Sequence, residues 1–166
     1  MARSMTADAL ERYEGQAAFG EAINLLGCAL PHPSNYHFQG HLGQHTLSTA
    51  VRFAVHCRRW LELKSNSVNP NLCCALEFDG DFAYAKYAHN LRDALNQIIH
   101  SDGAFISKVQ AKLKFESKGA TELQRRFYLY ENKYHVVILK IKTDKYEEII
   151  VPLIVLLDAY FPLMCN

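Results

Sequence analysis

The chain of 166 residues has little of what would break it into pieces: eight Gly, five Pro, and no run of Ser, Gly or Pro long enough to serve as a linker. That scarcity excludes collagen-like and low-complexity chains. With 49% apolar and 11% aromatic residues, the chain is also too hydrophobic for a disordered one. The five Cys (Cys28, Cys57, Cys73, Cys74, Cys165) contain no CxxC pair, are odd in number, and include an adjacent pair that is unusual in a disulfide framework. No apolar run is long enough for a membrane span. The most apolar stretch, Ile149 to Met164, is about four residues short and carries Pro152 and Asp158, so it predicts a buried helix. Met1 to Leu10 lacks the apolar core of a secretion signal. There is no Gly-rich phosphate loop, no HExxH and no G-x-S-x-G. Net charge is only +1, so the molecule as a whole carries no strong electrostatic instruction. These absences predict a reduced, cytoplasmic, soluble protein without membrane segment, metal or cofactor.

What is present fits one domain over residues 1–166, a length able to bury roughly two thirds of its unfolded surface. Ala7 to Leu30 predicts a first helix with Thr6 as N-cap, ended by Pro31 and Pro33. A second helix is expected from about Thr46 to Leu63, followed by a polar connector from Lys64 to Asn71. The third, from about Phe82 to His100, has Asp81 to cap it and Ser101-Asp102-Gly103 to stop it. Val109 to Phe115, Phe127 to Tyr130 and Tyr134 to Ile141 then alternate with period two. With Glu131-Asn132-Lys133 as the turn, the last two form an antiparallel hairpin, and Val109 to Glu116 supplies a third strand. Asp144, with Glu147 three residues on, caps a final helix through Tyr160. The expected architecture is α+β and mostly helical: a four-helix, bundle-like domain with a two- to three-stranded antiparallel hairpin before the last helix.

Charge is unevenly placed. Lys108 to Lys145 holds ten Lys or Arg against four acids, so this segment is +6 and the rest of the chain −5. One reading is a wet sheet face kept soluble by lysine. The other is a phosphate-facing surface over about 107–142, with Lys112, Lys114, Arg125, Arg126, Lys140 and Lys142 on nucleic acid and Tyr128, Tyr130 and Tyr134 either stacking bases or packing the hairpin.

The third helix carries the candidate chemistry. At about 100° per residue, Tyr84, Tyr87, Ala88, Leu91, Leu95, Ile98 and Ile99 share one apolar arc. Taking Arg92 as zero, Asn96 lies at roughly 40°, His89 near 60°, His100 near 80° and Asp93 near 100°. Asn and His are weak helix formers, so a stripe of them asks for a reason. Arginine offers a planar fork for phosphate, histidine exchanges a proton near neutral pH, and Asn orients either. Metal-free phosphodiester cleavage needs that trio. The plainer alternative has His100 at the helix C-terminus, where a cation is favoured, and Arg92 paired with a neighbouring acid. His37, His41 and His45 recur at four-residue spacing, but Gly40 and Gly43 interrupt them and predict a loop rather than a ligand-bearing helix. His56-Cys57 and the Cys73-Cys74 pair lack the spacing of a zinc site.

Leu91-Arg92-Asp93-Ala94-Leu95-Asn96-Gln97-Ile98-Ile99-His100-Ser101 resembles the signature helix of HEPN domains (higher eukaryotes and prokaryotes nucleotide-binding), small helical bundles that include prokaryotic ribonucleases of defence and toxin systems. The resemblance implies Arg92 and His100 as the cleavage pair, Asp93 as the polar residue that follows the Arg, and Asn96 as accessory. It also implies a homodimer with two such helices facing across one site. The spacing from Arg92 to His100 is longer than the family's usual one. The expectation is therefore a metal-independent endoribonuclease or RNA-binding domain. The alternative is a non-enzymatic interaction protein (antitoxin, accessory subunit or inhibitor) that binds a protein or nucleic-acid partner through the basic hairpin.

Overall fold

The computed structural model describes residues 6–29, 36–64, 68–72, 76–78, 86–113, 135–144 and 148–165. Helix α1 (Ala7–Ala29) starts where expected: Thr6 Oγ1 accepts the Ala9 N–H at 3.3 Å, satisfying one of the free donors of the first turn. It lies antiparallel to α2 (Tyr36–Leu63), because Glu14 meets Arg59 while Glu21, further along α1, meets Arg52, further back on α2. Ala18, Ala22, Leu25 and Ala29 pack against Ala50, Phe53, Ala54, Cys57, Trp60 and Leu61. Small residues let the two helices approach closely. At Gly15 an added Cβ would stand 3.0 Å from the Trp60 ring nitrogen, so no side chain fits there without moving the indole.

Helix α2 begins ten residues before the expected Thr46. His37, His41 and His45 therefore lie on a helix and not in a loop, with His41 and His45 exposed. A glycine inside a helix costs about 1 kcal/mol. The buried apolar face further along α2, which continues this helix, outweighs Gly40 and Gly43.

The third helix is shorter than expected. Lys86–Tyr87 form strand β2 and α3 spans Leu91–Ile99, capped by Asn90, whose Oδ1 accepts the Asp93 N–H at 2.8 Å. The expected cap Asp81 and the start at Phe82 fall outside the described residues, as does Tyr84, and His89 precedes the helix. The backbone at 70–72 runs beside 89–91, with Leu72 N donating to His89 O and Leu91 N to Pro70 O, both at 2.9 Å. Asn90 is extended there, which ends any helical run coming from residue 86.

The strands are β1 (Leu76–Phe78), β2, β3 (Gly103–Leu113), β4 (His135–Lys142) and β5 (Ile149–Pro152), in the sheet order β1-β3-β4-β5-β2. All neighbours are antiparallel except β2 and β5. Strand β3 starts six residues before the expected Val109 and pairs with β4 over its first eight residues. Phe127 to Tyr130 and the turn at 131–133 lie outside the described residues. The segment expected to open the final helix is instead β5, followed at once by α4 (Leu153–Met164) with Pro152 as its N-cap. Asp144 is exposed and caps nothing at Leu153. All four β5 residues are buried, so both faces are apolar and the period-two signal of a half-wet strand is lost.

Register sorts the sheet into two faces. Ile106, Leu139, Ile141, Ile149 and Val151 face the helical core, where Leu91, Leu95 and Ile98 of α3 meet Leu153, Leu156, Leu157 and Tyr160 of α4. Val109, Ala111, Val136, Ile138 and Ile150 form a second cluster with Ile154 and Val155. The chain is thus α+β and mostly helical, with four helices among the described residues and antiparallel strands ahead of the last one. The sheet is larger than the expected hairpin. None of the described helices is long and apolar enough to cross a membrane.

Candidate functional site

Helix α2 is flanked by α1 on one side and α3 on the other, and polar side chains lie along both junctions. At the α2–α3 junction Arg58 Nη1 donates to Asn96 Oδ1, while Arg58 Nε stands 2.7 Å from Glu62 Oε1, out of line for a hydrogen bond. Arg92 is half-buried. Its Nη2 donates to Leu61 O at 3.1 Å, at the carbonyl end of α2, and its backbone N–H donates to Asn69 Oδ1 at 3.0 Å. Among the described residues Arg92 Nε is buried with no hydrogen-bond acceptor, and no carboxylate pairs with this guanidinium. The α2 carbonyl end offsets part of the charge. It does not supply an anion.

Asp93 is occupied by the helix start. Its Oδ2 accepts the His89 N–H at 3.2 Å and its Oδ1 the Gln97 amide at 3.5 Å, which with Asn90 makes a reciprocal cap. His100 is the exposed C-cap of α3, and its N–H donates to Asn96 O at 3.0 Å. Eight residues of helix separate the Cα atoms of Arg92 and His100 by about 12 Å along the axis. The structure therefore brings Arg92 and Asn96 together, adds Arg58 to them, and leaves His100 at the far end of the helix.

The candidate nucleic-acid contacts divide. Lys114, Arg125 and Arg126 lie outside the described residues, as do Tyr128, Tyr130 and Tyr134, and of Lys112 only the backbone is described, opposite Glu77. Lys140 Nζ pairs with Glu148 Oε2 at 3.1 Å, and Lys142 is exposed. On the same sheet face stands Phe105, 67% exposed and opposite Lys140 in the register.

A second polar cluster lies at the α1–α2 junction. His56 Nδ1 is 2.6 Å from Glu14 Oε2, and Arg59 Nη1 is 3.4 Å from Glu14 Oε1. The Glu14 side chain is 3% exposed, His56 24% and Arg59 63%. The Tyr13 ring meets His56 edge-on with centroids 6.4 Å apart. One turn back, Arg52 donates to Glu21 through Nε at 2.7 Å and Nη2 at 3.2 Å. That bond holds the Glu21 carboxyl below its ordinary range and pushes Arg52 up. The sequence does contain the signal for this ladder: Glu14 and Glu21 are seven apart, and Arg52, His56 and Arg59 fall within about 60° on α2. Cys57, next to His56, turns into the core, where burial raises its thiol far above the ordinary value and leaves it without nucleophilic thiolate.

Among the described residues no group of three or more His, Cys, Asp or Glu is placed to hold a metal ion. Compared with models of protein families, with curated proteins and with solved structures, the chain matches none.

Proposed function

We propose that this chain is an RNA-binding protein of HEPN-like type that grips a backbone phosphate at the α2–α3 junction. One observation carries the reading: Arg92 is a half-buried guanidinium with no carboxylate partner among the described residues. Such a charge is stabilised by an anion that can take two of its N–H groups, and a phosphodiester does so with matching geometry. Arg58 and Asn96 complete the grip with a second cation and an amide. The likeness of Leu91 to Ser101 to the HEPN helix supports RNA as the source of that phosphate and a homodimer as its bearer, with His100 presented to the partner helix. Gel-shift titration of a labelled single-stranded RNA tests the reading. Arg92→Ala is expected to weaken binding at least about tenfold, which corresponds to about 1.4 kcal/mol. Affinity equal to that of the parent protein would remove the phosphate site. Light scattering tests the dimer, and a strictly monomeric species excludes a site shared between two α3 helices.

A second reading, a non-enzymatic interaction protein, is favoured by Phe105. A large apolar ring 67% exposed beside Lys140 and Lys142 is the kind of anchor a partner covers. Phe105→Ser separates the two readings, since the phosphate grip does not use that ring.

A further inference from the structure

The α1–α2 junction holds an arrangement that the phosphate grip does not use. Glu14 is buried, yet its carboxylate is aimed at a ring that reaches the surface. A carboxylate accepts only, so the His56 Nδ1 proton points to Glu14 and the neutral ring presents Nε2 as a base. Glu14 fixes the orientation and stabilises the imidazolium that forms when Nε2 takes a proton. Arg59, one turn further along α2, meets the same carboxylate and has a side chain 63% exposed. Tyr13, 54% exposed, offers a flat apolar face next to it. Base, anion holder and stacking surface thus stand together at one place on the surface. They come from two helices whose close approach at Gly15 fixes their spacing.

We propose that His56, oriented by Glu14 and flanked by Arg59 and Tyr13, is a metal-free acid–base site that cleaves single-stranded RNA, an inference that rests on the RNA-binding reading. Tyr13 stacks a base and Arg59 holds the scissile phosphate. Nε2 of His56 takes the ribose 2′-hydroxyl proton as O2′ bonds to phosphorus. The P–O5′ bond breaks with its electron pair on O5′, which takes a proton from water. The hydroxide so formed takes the proton from the imidazolium, and His56 returns to its neutral form. The products are a 2′,3′-cyclic phosphate and a 5′-hydroxyl end, with no oxidant, reductant or metal involved.

The test uses the full chain with a labelled single-stranded RNA in EDTA, and follows binding by gel shift and cleavage by product ends. Wild type is compared with His56→Ala and with His56→Gln, which keeps a polar side chain facing Glu14. The expected result is cleavage to cyclic phosphate in wild type, a loss of about 10²- to 10⁴-fold in both variants, and RNA affinity within about twofold of wild type. Added imidazole is expected to restore part of the His56→Ala rate, which a purely structural histidine would not allow. RNA that binds but stays intact in wild type, or is cut by His56→Ala and His56→Gln as fast as by wild type, overturns the acid–base site and leaves the RNA-binding reading standing. RNA that does not bind overturns both.

Discussion

Arg58 and Arg59, adjacent in the chain, serve opposite sides of α2: Arg59 stands 3.4 Å from Glu14 on α1, whereas Arg58 donates to Asn96 on α3. A step of about 100° per residue sends neighbouring side chains apart, so one helix links two polar clusters.

Glu14→Ala is expected to destabilise the fold by about 1–3 kcal/mol, because His56 and Arg59 both lose a buried partner. The loss stays below that of a fully buried pair because both partners reach solvent. Urea denaturation at neutral pH measures it, and an unchanged midpoint would show that the cluster adds nothing to stability.

The Glu21–Arg52 pair should make stability depend on pH. Its bond to Arg52 lowers the Glu21 carboxyl from the ordinary 4.5. A depressed carboxyl contributes stability that is complete above the unfolded value and is lost as pH falls through the folded one. Wild type is therefore expected to exceed Glu21→Gln by up to about 1 kcal/mol at pH 7, the range for an exposed pair, and by nothing near pH 2. Denaturant titration of both proteins at the two pH values checks the sign.

Among the described residues Tyr160 is the largest fully buried side chain, set against Phe53, Trp60 and Phe161, and its hydroxyl has no hydrogen-bond partner there. Burying an unpaired hydroxyl costs about 1–3 kcal/mol. Tyr160→Phe removes that cost and keeps the ring, so a rise in stability of about 1 kcal/mol is expected. A destabilised variant would mean that the hydroxyl has a partner in solution.

Two positions on one sheet face should respond differently to truncation, because one is covered and the other is not. Ile138, fully buried on β4, is expected to cost about 2–5 kcal/mol on change to Ala. Phe105→Ser, at a surface position of β3, is expected to stay within about 0.5 kcal/mol. Thermal unfolding of the two variants side by side gives the contrast.

Much of the framework was legible in the residues themselves. Thr6 caps α1, α2 ends at Leu63, and β4 begins within one residue of the expected Tyr134, because caps and alternation are local signals. The misread starts of the third and last helices share one cause. Lys86–Tyr87 and Ile149–Pro152 are strands with each other as parallel partners, and a short apolar run cannot declare whether a distant strand will pair with it. Asn90, four residues after Lys86, was the available sign that α3 begins late.

The candidate site divides in the same way. Arg92 and Asn96 were legible because one turn of helix separates them. The seven-residue step from Glu14 to Glu21 and the stripe of Arg52, His56 and Arg59 were each visible, but their meeting was not. By itself the sequence determined the α+β class, the Thr6 cap of α1 and the one-turn step from Arg92 to Asn96 on α3, all consequences of local sterics and short-range periodicity. Only the tertiary structure decided that His56 faces Glu14, that Arg58 joins Asn96, and that Arg92 has no carboxylate partner among the described residues. These depend on how two helices more than thirty residues apart are packed, and that is set by the whole core rather than by any one segment.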